Sequence, residues 1–201
     1  MTTNDDPSRK RGLESVFSEG IVLICADDDA PVRLVYRGLA RRLESVQGGV
    51  KECKILGATY KEASSLVSTV LDASQEHGDE NIVCVFDLHM ENYDGQGEVL
   101  GSDVVRELRS SGFDGLAIIR TANEDDISKN MCHQAGADAV LNKRMSCGEV
   151  ADAIMKHRAP PLKERSGKRM KESLEKGRSS EWIDYRHYHT LLNQRHEPTS
   201  Q

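Results

Sequence analysis

Residues 82–95 read IVCVFDLHMENYDG. Ile82 to Phe86 is a run of apolar residues, mostly β-branched or aromatic, of the length of a strand buried on both faces of a parallel sheet and too short for a helix. It ends on Asp87. In an open parallel α/β sheet, ligands and chemistry sit just beyond the carboxyl ends of the strands, so an acid at that edge is placed for function. Alone it would equally be the first solvated residue of a loop. Residues 21–29, IVLICADDD, repeat the design with Asp27, Asp28 and Asp29. Like charges held close raise one another's pKa unless they share a cation, so two strand ends offering acids to one place suggest a hard divalent ion with oxygen ligands, Mg²⁺ being the usual choice. Asp28 and Asp29 also read as helix caps, because Ala30-Pro31-Val32 opens a helix whose first turn favours acids.

Two further strand ends complete the set. LAIIRT at 116–121 puts Thr121 at a terminus, and ADAVLNK at 137–143 puts Lys143 at another. Taken singly, Thr121 is a strand-end cap and Lys143 a solvated charge. Facing an acid cluster, a hydroxyl and an ammonium suit the stabilisation of phosphoryl oxygens on a carboxylate.

The order acid pair, acid, hydroxyl, lysine, each at the end of a successive apolar run, resembles the receiver domain of two-component response regulators over residues 20–158. The resemblance implies a five-stranded, parallel, doubly wound α/β fold of the flavodoxin-like type, strand order 2-1-3-4-5. It implies that Asp87 accepts a phosphoryl group from phosphohistidine and that Asp27, Asp28 and Asp87 hold Mg²⁺ with the main-chain carbonyl of His89. Thr121 and Lys143 would be the switch and phosphoryl-stabilising residues. Asp28 is preferred to Asp29 because Arg33 then falls where receivers carry a basic residue in their first helix. The donor would be a histidine kinase or a histidine phosphotransfer protein. The output would pass to a protein partner through the face built from the helix around 126–135, the strand at 137–143 and the helix at 147–158, or through the C-terminal tail.

The sequence departs from the family at four places. Glu91 replaces the usual Pro after Met90. An insertion of roughly six residues ending at Leu100 lengthens a rim loop, and such loops commonly tune access and partner choice. Val140 occupies the switch aromatic position, which makes it a degenerate switch position. Arg144 follows Lys143 where the family has a Pro that forms a cis bond, and cis bonds without Pro are rare.

With 201 residues and a formal charge of −6, the chain is long enough for one domain with tails and gives no electrostatic case for nucleic acid or anionic membrane as partner. Five Cys is an odd number. With Cys25 and Cys84 in expected buried strands and no apolar leader, the expectation is a reduced, soluble, cytoplasmic protein that does not enter a membrane. No CxxC pair suggests zinc.

Helical spacing of Val32, Val35, Tyr36, Leu39 and Leu43 predicts a first helix over 31–43, and Ala63, Leu66, Val67, Val70 and Leu71 a second that closes near Gly78. Val50–Gly57 is the second strand. A third helix is expected over 101–112, a fourth capped by the polar run from Asn123 to Asp126 and ending at Gly136, and a fifth over 147–158. Residues 1–19 read as a flexible leader and 159–201 as a charged linker with a terminal helix carrying Trp182, Tyr185 and Leu192 on one stripe, its His187 and His189 being surface residues. The tail is too short for the usual DNA-binding output domain.

Two other readings remain. A pseudo-receiver would keep the fold as a scaffold without being phosphorylated. An aspartate-nucleophile phosphatase of the haloacid dehalogenase type needs a second Asp two residues after the nucleophile, where this chain has His89. On the receiver reading the chain is a phosphoacceptor, not an enzyme.

Overall fold

Five of the apolar runs form one parallel sheet. The computed structural model describes residues 20–45, 48–123 and 125–158; the expected leader at 1–19, the expected cap residue Glu124, and the expected linker and helix at 159–201 lie outside the described residues. In chain order the strands are β1 (Ile21–Ala26), β2 (Val50–Leu56), β3 (Ile82–Asp87), the two-residue strands β4 (His89–Met90) and β5 (Val99–Leu100), β6 (Leu116–Thr121) and β7 (Ala139–Asn142). The large sheet has the order β2-β1-β3-β6-β7, every neighbouring pair parallel, while β4 and β5 pair antiparallel in a sheet of their own. The expected flavodoxin-like order is therefore observed, with a hairpin interposed between β3 and the next helix.

The helices are α1 (Ala30–Glu44), α2 (Tyr60–Ser64), α3 (Leu66–His77), α4 (Gly101–Ser110), α5 (Asp126–Gln134) and α6 (Cys147–Arg158). They lie on both faces of the sheet, which is why its central strands carry unbroken apolar runs rather than alternation. Val22, Ile24, Cys84, Phe86 and Ile119 pack against Leu66, Val70, Val105 and Leu108 of α3 and α4. Leu23, Cys25, Val83, Val85 and Ile118 pack against Tyr36, Leu39 and Leu43 of α1 and Val150 and Ile154 of α6. Successive strand residues point to opposite faces, so Asp27, Asp87 and Arg120 emerge on the α1/α6 side.

Three local expectations change. The second helix breaks at Ser65, whose hydroxyl and amide both bond back to the Glu62 carbonyl, so a serine competes for backbone partners and ends α2 before α3 begins. Asp29 occupies the N-cap position of α1 with no side-chain capping bond; its amide instead donates to Asp27 Oδ1 at 2.9 Å. Val35, expected on the buried stripe of α1, is exposed beside Leu34, and Ala40 joins the core in its stead. The fourth helix is capped by Asp125, whose carboxylate accepts from the Ser128 amide at 2.7 Å.

All five cysteines are free thiols, with Cys25, Cys84 and Cys132 buried. Among the described residues no helix is long and apolar enough to cross a membrane.

Candidate functional site

The site lies at the carboxyl ends of β1, β3 and β7. Asp87 is the last residue of β3 and is nearly buried; Asp27 follows β1 and is fully buried. Lys143 follows β7, its amide fixed to the Thr121 carbonyl at 2.9 Å, so continued pairing of β6 with the chain after β7 aims its side chain at the acids. The ammonium stands 2.8 Å from Asp87 Oδ2 and 3.0 Å from Asp27 Oδ2.

Asp28 is held from the other side. Its Oδ2 accepts from the amides of Glu91 and Asn92 at 2.9 Å and from Asn92 Nδ2 at 2.7 Å, three donors supplied by the insertion after Met90. Arg33 Nη1 donates to the main-chain carbonyls of Asp27 and Asp28, both at 2.8 Å, which is what the basic residue of the first helix does here. Two glycines let neighbouring backbone close on the acids. A Cβ at Gly101 would stand 2.1 Å from the Asp87 carbonyl oxygen, and one at Gly57, which also has φ +95°, would stand 2.7 Å from that of Asp27.

Asp27, Asp28 and Asp87 each offer a carboxylate oxygen within 4.8 Å of the others. Burial, reinforced by the Asp27 charge, pushes the Asp87 carboxyl up to about 7 even though Lys143 pulls the other way. Burial also raises Asp27 against the pull of Lys143. Burial on its own would depress Lys143, but its hydrogen bonds and charge contacts with Asp87 and Asp27 outweigh that and raise it. Three acids with one facing ammonium remain short of positive charge, and hard oxygen donors converging in a partly buried place suit a small divalent cation.

His89 opens β4, opposite Leu100. The Gly101 amide donates to the Leu88 carbonyl at 2.9 Å. In an antiparallel ladder the next pair has its amides and carbonyls turned outward, which directs the His89 carbonyl away from β5. Its imidazole meets Glu98 Oε1 at 2.9 Å.

The switch positions are a different matter. Thr121 is buried at the end of β6, and its hydroxyl oxygen accepts from the Asn123 amide at 3.0 Å. Among the described residues no hydrogen bond joins that hydroxyl to Asp87 or Lys143; Thr121 meets Lys143 through its main-chain carbonyl. Val140 packs against the α4/α5-side core. The peptide bond to Arg144 is trans, as are all others described.

Sequence reasoning passed over Arg120 and Asn92. Arg120 is 1% exposed, and its Nη2 donates to the carbonyls of Lys143 at 2.8 Å and Met145 at 3.2 Å. A charge inside the apolar run LAIIRT was the available signal. Asn92 had none, since its role depends on a loop folding back across the rim.

No family model and no curated protein matches the sequence. Solved structures do. The signal receiver domain of the response regulator NarL from Mycobacterium tuberculosis is 20% identical, with 71% of this chain and 99% of that chain covered at a TM-score of 0.51. The receiver domain of Francisella response regulator 1452 is 21% identical, covering 69% of this chain and 97% of that chain at 0.50. This chain has the receiver-domain fold. A LuxR-family two-component response regulator from Aurantimonas sp. SI85-9A1 shares that receiver fold at 17% identity, covering 78% of this chain and 99% of that chain at 0.50. The five strands of the large sheet take the order expected for that fold, and the β4–β5 hairpin forms a two-stranded sheet of its own.

Proposed function

We propose that this receiver-fold chain takes a phosphoryl group from phosphohistidine onto Asp87. The observation that carries the reading is the Lys143 ammonium bridging Asp27 and Asp87 at 3.0 and 2.8 Å, at the strand ends where the three acids converge. An Asp87 oxygen attacks phosphorus, the phosphorus–nitrogen bond of the donor breaks, and the imidazole leaves and takes a proton from water. Lys143 stands where it would meet one of the phosphoryl oxygens, replacing contact with the carboxylate by contact with the transferred group. Asp27, Asp28 and Asp87 would hold Mg²⁺ with the His89 carbonyl, and the ion would offset charge between the carboxylate and the incoming phosphoryl. Asn92 and the Glu91 amide fix the orientation of Asp28 for that role.

The protein is a phosphoacceptor consumed once per transfer, and water returns it slowly, so it is not an enzyme on this reading. A histidine kinase or histidine phosphotransfer protein is the donor. The acyl phosphate biases the α5–β7–α6 face between two arrangements and thereby a protein partner. Thr121, whose hydroxyl accepts from the Asn123 amide, and the partly buried Val140 in place of an aromatic favour a second reading in which the chain is a pseudo-receiver scaffold.

Incubation with acetyl phosphate separates the two. One added phosphoryl group in the intact mass, abolished by EDTA and by Asp87→Asn, supports phosphorylation. The absence of an adduct, together with no beryllofluoride binding, leaves the scaffold reading.

A further inference from the structure

Arg120 is a full positive charge inside the protein, 1% exposed, at a position where strand burial asks for an apolar side chain. A buried cation is costly unless it is paired or well hydrogen-bonded. Among the described residues no carboxylate forms an ion pair with it. Its hydrogen bonds go instead to the carbonyls of Lys143 and Met145, at 2.8 and 3.2 Å, and its guanidinium lies over the Tyr36 ring, 5.6 Å from the centroid. The register places Arg120 directly opposite Asp87 on the neighbouring strand, and the strand alternation puts both side chains on the α1/α6 side. The guanidinium therefore sits beneath the acid cluster and braces, from below, the turn that carries Lys143 above it.

That turn needs bracing. Arg144 follows Lys143, so no proline ring limits the backbone; the turn is held on its main chain by the Lys143 amide on the Thr121 carbonyl at 2.9 Å, the Met145 amide on the Asn142 carbonyl at 3.1 Å and the Arg144 amide on Asn142 Oδ1 at 2.6 Å, and the guanidinium is the side chain that binds its carbonyls from the sheet. Both bonds leave the same Nη2, so one buried nitrogen holds the carbonyls on either side of Arg144.

We propose that Arg120 is a positioning residue for Lys143: its buried guanidinium clamps the Lys143 and Met145 carbonyls and so holds the Lys143 ammonium between Asp27 and Asp87. The functional weight of the clamp rests on the phosphoryl-acceptor reading, but its test does not.

The full chain and its Arg120→Met variant are treated briefly with an amine-acylating reagent, and the modification of each lysine is read by peptide mass mapping, with exposed Lys61 and Lys129 as internal standards. In the natural protein Lys143 is protected by its two carboxylates. In Arg120→Met, Lys143 acylation rises about tenfold while Lys61 and Lys129 are unchanged, the size expected when a charge-assisted hydrogen bond is lost. A purely structural role would raise all lysines together with a loss of cooperative unfolding. Arg120→Lys, which keeps the charge but ends one bond short of the Nη2 position, gives the same comparison if Arg120→Met does not fold, and is expected to leave Lys143 deprotected. Lys143 protection equal to the natural protein's in either folded variant, or a uniform rise at every lysine, overturns the proposal. Failure of phosphorylation with Lys143 deprotection as expected would instead count against the functional reading alone.

Discussion

Asp87 is the residue on which the proposed chemistry turns, and its environment sets a pH dependence of definite sign. Its carboxyl is pushed up to about 7 by burial and the Asp27 charge. A carboxyl raised in the fold is disfavoured when ionised, so the metal-free protein loses stability as pH rises from the ordinary carboxylate range through about 7, and recovers it on acidification. A cation at the three acids reverses that penalty. Thermal unfolding with and without Mg²⁺ is therefore expected to show a stabilisation by the ion that is small near pH 5 and grows to about pH 8. A Mg²⁺ shift independent of pH would contradict the account. At this scale the acids and Lys143 were legible in the sequence because each ends an apolar run. Arg120 was not, because a single charge before Thr121 reads as a strand terminus turning toward solvent, and only the packing of α1 and α6 shows that it stays inside.

The elements around the site fix its precision. The insertion forms the loop and second strand of the β4–β5 hairpin, and Asn92 in that loop supplies two of the three donors to Asp28 Oδ2, one of them from its side chain. Asn92→Ala removes a partner that orients Asp28, a metal ligand on the proposed reading, and Mg²⁺ affinity measured calorimetrically is expected to fall by about tenfold with little change in fold. Gly101 opens α4 against the Asp87 carbonyl, with room for no side chain. Gly101→Ala is expected to destabilise by about 1–3 kcal/mol in urea unfolding, since either α4 or the end of β3 must give way. The long elements were readable from their periods: β3, β6 and α6 match their expected bounds. The hairpin was not, because strands of two residues carry no period, and the break between α2 and α3 hangs on one serine bonding its own backbone.

For the whole molecule, the two packed faces of one sheet account for the cysteines. Burial raises the Cys25 and Cys84 thiols, and pushes Cys132 up to about 12. Cys53 is exposed and Cys147 half-buried. Alkylation of the native protein is expected at Cys53 and Cys147 only, and at all five thiols in denaturant, as read by intact mass. Labelling of Cys25 or Cys84 under native conditions would contradict the double-faced core. The receiver fold as a whole was legible because a parallel sheet buried on both sides leaves so few topologies for alternating strands and helices. The proposed function rests on Asp87. The direct measurement is to treat the protein with acetyl phosphate and Mg²⁺, reduce it with borohydride, which converts an aspartyl phosphate to homoserine, and map the product. Homoserine at position 87, absent when EDTA replaces Mg²⁺, is the predicted result; an unaltered Asp87, or homoserine at another acid, would contradict the account.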